Sequence, residues 1–236
     1  MEALLYQCEY SKFESACKGT DILSNAYASA PVQGIITQKC SEPTTHVNLM
    51  LYVTHENDFM VNRLVSFWTR QKIWTEQGEE RFTNFAHAEL CFEFDLLGNR
   101  FENNTTMGFS INQFTDLYMK TKLWRSEYRS IPIYIPKSKY DALFKLCCYL
   151  AQHKIKFDSA GMYASILAPS SFMKTRDKFV HGTFCSRIIT EVLQECDIGG
   201  EKIQKLEPWR ATPNLLSQCL DQDVVGCVPT FVRDTA

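Results

Sequence analysis

The chain has 236 residues, 45% of them apolar and 22% charged, with Lys plus Arg 25 against Asp plus Glu 27 and a formal charge of −2. That length suits one large domain with its own core, and Gly and Pro are too few for collagen-like, low-complexity or disordered classes. A general nucleic-acid binder would carry a basic excess, so no nucleic-acid partner is expected.

The first residues include Glu2 and Glu9 and no long apolar run, so no signal peptide is expected. No stretch approaches the ~18 apolar residues of a membrane span, so no transmembrane segment is expected either. The expected location is cytoplasmic. There, ten cysteines with no CxxC pair among them are expected to be thiols rather than bridges, mostly small core residues.

Residues 1–45 show weak periodicity and read as an N-terminal arm or cap of unassigned role, followed by a single domain over 46–236. His46 to Val53 reads as a strand. Asp58 is expected to cap a helix whose apolar positions Met60, Leu64, Val65 and Trp68 recur at helical spacing. Gln71 to Arg81 reads as a loop. From His87 to Asp95 the chain alternates strictly, with Ala88, Leu90, Phe92 and Phe94 on one face and His87, Glu89, Cys91, Glu93 and Asp95 on the other. Leu97 to Phe101 turns the chain, and Thr106 to Ile111 can return antiparallel. A strand over 129–135 contains Pro132, which marks it as an edge or a bulge.

Ser138 with Asp141 resembles a capping box opening a helix to about His153, with Tyr140, Leu143, Phe144, Cys147 and Leu150 as its apolar stripe. The chain reads as irregular around Gly161 and Pro169. A second strong helix starts at Cys185, burying Ile188, Ile189, Val192 and Leu193. Thr212-Pro213 is an N-cap followed by Pro at the first helical position. The fold class is α+β, an antiparallel sheet packed with helices.

Chemistry concentrates at Cys185 and His87. A cysteine at a helix N-terminus meets unpaired amides and the positive end of the dipole, which stabilise a thiolate and can hold an oxyanion. Gly182 just before it would let backbone approach a substrate. His87 opens the alternating strand on its polar face. Glu89 follows on that face, about 6.6–6.8 Å along the strand, where a carboxylate can orient an imidazole. Metal is not expected. His87 and Cys91 lie about 13 Å apart along a strand, and His181 with Cys185 has no further ligand pair nearby. His46 is the competing histidine but lacks the polar face and the following Glu. Trp68 either packs or lines a cleft.

Several segments carry a resemblance: Phe85-Ala-His-Ala-Glu-Leu-Cys-Phe92, Gly108-Phe-Ser-Ile-Asn112, Lys156-Phe-Asp-Ser-Ala-Gly161, Thr183-Phe-Cys-Ser-Arg-Ile-Ile-Thr-Glu-Val-Leu-Gln194 and Ala211-Thr-Pro-Asn-Leu-Leu216. Together, with the His strand before the Cys helix, they resemble the circularly permuted papain-like thiol hydrolases. That superfamily includes cell-wall amidopeptidases and lecithin:retinol acyltransferases, with members in bacteria and large DNA viruses.

The resemblance spans about Val47 to Leu220. It implies a permuted papain-like fold and a cysteine peptidase or amidase working through a thioester, with Cys185, His87 and Glu89 as catalytic residues. Ser110 or Asn112 remains open as the third member. No cofactor is implied. The implied partner is a peptide, protein or acyl substrate, and the implied location is the cytoplasm, or a host cytoplasm or virion for a viral chain. Lipid acyl transfer or phospholipase action with the same pair, and an inactive binding protein that kept the fold, are the alternatives.

Overall fold

The computed structural model describes residues 42–74, 80–102, 105–123, 127–167 and 177–223. The expected arm therefore lies almost wholly outside the described residues, as do Trp124 and the cysteines at 8, 17, 40 and 227.

Five strands form one antiparallel sheet: β1 (Thr44–Val53), β4 (Phe85–Phe92), β5 (Thr106–Ser110), β6 (Tyr118–Lys122) and β7 (Tyr128–Pro136). Their spatial order is β6-β5-β4-β1-β7, so the alternating strand β4 is central. The edge position expected for the strand with Pro132 is borne out, since among the described residues β7 pairs only with β1, Pro132 lying opposite Asn48. β6, an edge strand with Lys120 and Lys122, was not anticipated. The expected loop at 71–81 contains a small hairpin of β2 (Lys72–Trp74) and β3 (Glu80–Phe82).

One sheet face is apolar throughout. Ala88, Leu90 and Phe92 align across the register with Leu51, Leu49 and Val47 of β1, with Phe109 and Ile111 of the β5 segment, and with Ile131 and Ile133 of β7. Helix α2 (Lys137–Gln152) covers this face with the expected stripe Tyr140, Leu143, Phe144, Cys147 and Leu150. Its Phe144 and Tyr140 rings meet Phe92 at 5.1 and 5.5 Å between centroids. The expected capping box does not form. Asp141 pairs with Lys137, and Glu42 accepts from the backbone N–H and hydroxyl of Ser138.

Six further α-helices lie among the described residues. α1 (Met60–Thr69) buries only Val65, Ser66 and Thr69, so Met60 and Trp68 of the expected stripe face outward. Asp58 does not cap it, because its carboxylate accepts from the Tyr52 hydroxyl (2.6 Å) and the His55 backbone N–H (2.8 Å). α3 (Ser159–Leu167) replaces the irregular segment expected near Gly161, and Asp158 supplies its cap by accepting from Gly161 N–H at 2.7 Å. After the short α4 (Lys178–His181) comes α5 (Cys185–Glu195), which buries Ile188, Ile189, Val192 and Leu193 as expected. α6 (Gly200–Lys205) was not anticipated, whereas α7 (Pro213–Asp223) starts as expected, with Thr212 Oγ1 accepting from Leu215 N–H at 3.1 Å.

Candidate active site

Cys185 is the first residue of α5, and its position is set from both sides. The preceding segment is strapped to residues 156–158 by Thr183 N–H donating to Lys156 O and Asp158 N–H donating to Thr183 O. Gly182 has φ +90°, and a Cβ there would stand 2.4 Å from the Lys156 carbonyl oxygen. This glycine therefore serves close packing against the chain's own backbone, not the substrate approach expected of it. Behind Cys185, Ser186 Oγ donates to Ala211 O at 2.7 Å.

His87 is placed by α7. Asn214 is wholly buried, accepts from the Phe85 N–H (2.9 Å), and donates to the Phe85 carbonyl (3.0 Å) and to Thr69 Oγ1 (2.7 Å). It takes the place of a strand partner where the β1–β4 register shifts, with His87 opposite Tyr52 and Phe85 opposite Val53. The Ala-Thr-Pro-Asn segment read from the sequence thus anchors the start of the histidine strand.

Cys185 lies beside this end of β4, at the residue that follows His87. The backbone of Ala88, the residue after His87, hydrogen-bonds the Cys185 sulfur, as do the amides of Cys185 and Ser186 at the open helix end. His46 belongs elsewhere. It pairs with Tyr134 across the sheet, lies 3.5 Å from Glu93, and sits six residues from the partner of His87, about 20 Å along β1.

Two of the three candidates for a third group lie near the His87 ring. Ser110 Oγ donates its one proton to the Ala88 carbonyl at 2.7 Å and stands 3.3 Å from His87 Nε2. Towards the ring it can only accept, so Nε2 carries the proton and Nδ1 carries the lone pair. Glu89 Oε2, 3.9 Å from Nε2, favours the same tautomer from a greater distance. Asn112 is committed to a turn, its side-chain oxygen accepting from Phe114 N–H.

Glu89, expected to orient the imidazole from the polar face, has closer partners than the ring. It is 0% exposed and binds both Lys122 and the Tyr118 hydroxyl, the latter at 2.8 Å. Gly108 makes room for it, since a Cβ there would stand 2.7 Å from Glu89 Oε1. Lys120 lies over the Tyr118 ring at 4.1 Å.

The surroundings of the thiol act against the thiolate expected at a helix end. Burial pushes the Cys185 thiol up, and the backbone bonds from Ala88, Ser186 and its own amide counter this only in part. Burial, with lesser help from Lys122 and Lys120, pushes the His87 pKa down to about 4, against an opposing pull from Glu89. Both directions favour a resting thiol and a neutral imidazole over an ion pair.

Cys91, Cys147 and Cys196 are free thiols, each with its pKa raised by burial. Among the described residues no group of three or more His, Cys, Asp or Glu side chains could hold a metal, and no helix is long and apolar enough to cross a membrane. No protein-family model matches the chain, and no curated protein or solved structure is detectably similar to it.

Proposed function

We propose that the chain is a permuted papain-like cysteine hydrolase that cleaves an amide bond, in a peptide or isopeptide, through a thioester. The observation that supports this reading is a helix-leading cysteine hydrogen-bonded by the backbone of Ala88, next to His87, whose Nε2 stands 3.3 Å from Ser110 Oγ; on this reading Nδ1 is the base.

His87 Nδ1 takes the Cys185 proton as the sulfur bonds to the substrate carbonyl carbon. The first-turn amides of α5 stabilise the resulting oxyanion. Collapse breaks the C–N bond, and His87 returns the proton to the departing amine. Water, deprotonated by His87, then attacks the thioester carbon, releasing the acid and restoring the thiol. Ser110 and Glu89 hold the ring and its tautomer throughout.

A second reading, acyl transfer from a lipid, uses the same pair. It is favoured by the outward aromatic residues of α1, whose end is tied to the histidine strand through Asn214.

The test is an activated acyl probe followed by peptide mapping of the adduct. The acyl group is expected on Cys185 ahead of the other cysteines. His87→Ala is expected to slow acylation by about 10²–10⁴-fold, the usual contribution of a positioned base. Acylation spread evenly over the exposed thiols would remove the reading.

A further inference from the structure

Helix α1 buries Val65 beneath it yet leaves several large apolar side chains outside. Its inward positions include Ser66 and Thr69, while Met60, Arg63, Phe67 and Arg70 recur along the outward side with Trp68 beside them. Phe59 and Met60 are each 72% exposed, Phe67 57% and Trp68 48%. Contiguous exposed apolar surface of this kind marks a contact site in a folded protein.

Charge selects the occupant. Residues 59–74 contain Arg63, Arg70 and Lys72 and neither Asp nor Glu, in a chain whose net charge is −2. The Arg70 guanidinium lies 4.5 Å from the Phe67 ring centroid and 4.7 Å from that of Phe82, so cation and aromatic rings form one surface. A two-fold contact centred on this face would bring the arginines of one copy near those of the other, such as Arg63 near Arg70, which like-charge repulsion opposes. Rings that enter the headgroup boundary, flanked by arginines that meet phosphates, fit a lipid interface of negative charge.

We propose that the outward face of α1 docks the protein on an anionic lipid surface. The inference goes beyond the hydrolase reading and does not need it, since neither Cys185 nor His87 takes part. Thr69 at the end of the helix is bonded to Asn214, which holds Phe85 two residues before His87. Docking would therefore bring the lipid surface to the end of β4 where the candidate site lies.

The experiment is cosedimentation of the full chain with phosphatidylcholine vesicles, with and without about 30 mol% phosphatidylserine. Binding is expected to the anionic vesicles, and to weaken as salt rises. Met60→Ser with Phe67→Ser is expected to weaken it about ten-fold, from lost apolar burial. Arg63→Glu is expected to weaken it at least about five-fold.

These side chains are exposed, so circular dichroism and the thermal midpoint should stay at wild-type values and certify the fold of the variants. Cys185→Ala should bind as the wild type does, which separates failure of the docking from failure of the hydrolase reading. The proposal is overturned by equal sedimentation with and without phosphatidylserine, or by variants that bind like the wild type. A dimer that the Met60/Phe67 variant abolishes would also overturn it, because the face would then belong to a second copy.

Discussion

The two faces of β4 are built from alternate residues of one strand and held by different physics. Ala88, Leu90 and Phe92 are fixed by packing under α2 and α5, with no titratable group among them. His87 and Glu89, one residue out of step, are fixed by Ser110, Tyr118 and Lys122, and their energetics depend on protonation. The apolar face supplies stability that pH does not touch. The polar face holds a histidine neutral and pointed, at the cost of burying charge beside it.

The contrast can be broken from either side. Phe92→Ala, opposite the rings of Tyr140 and Phe144, is expected to cost about 3–5 kcal/mol in denaturant unfolding, the same at every pH. Glu89→Ala is expected to cost a similar amount, about 3–5 kcal/mol, because Lys122 loses its carboxylate partner. The double variant Glu89→Leu with Lys122→Met should recover most of that loss, since a well-packed apolar pair often equals a buried ion pair. No second change restores Phe92→Ala in this manner, and recovery by the double variant is the signature to look for in the same unfolding curves.

A smaller effect sharpens the comparison through pH. His87 is neutral in the folded state down to about pH 4, whereas in the unfolded chain it titrates near ~6.5. Between those values the unfolded chain binds a proton that the folded one does not, so stability falls as pH drops through that window. Above the window the histidine contributes nothing to the pH slope. His87→Gln should remove this part of the slope, worth at most about 3 kcal/mol by pH 4, in unfolding curves recorded beside the wild type.

Much of this was legible in the sequence because it rests on local pattern. The alternation from His87, the stripe of α2, the Thr212-Pro213 start and the helix opening at Cys185 are all periodicity or capping chemistry. What was not legible depends on distant partners. Glu89 reads as a carboxylate facing the imidazole, and its pairing with Tyr118 and Lys122, some thirty positions later, is not visible in spacing. The thiol reads as activated because a helix end is visible in sequence, whereas its enclosure, only 7% exposed, is not. Spacing left Glu89, Ser110 and Asn112 open as the third member. Only the direction of the Ser110 hydroxyl, committed to the Ala88 carbonyl, fixes the ring tautomer. β6 and α6 lacked a strong repeat. The outward turn of α1 is settled by Asn214 and Thr69, not by its own apolar spacing.

The central claim is that neutral His87 serves as the base for Cys185, and the pH profile of Cys185 acylation in wild type and His87→Ala tests it most directly. The account predicts a wild-type rate that rises near pH 4 and stays level through neutrality, with the level region missing from the variant, whose rate simply climbs with thiolate towards alkaline pH. Superimposable profiles for the two proteins would contradict it.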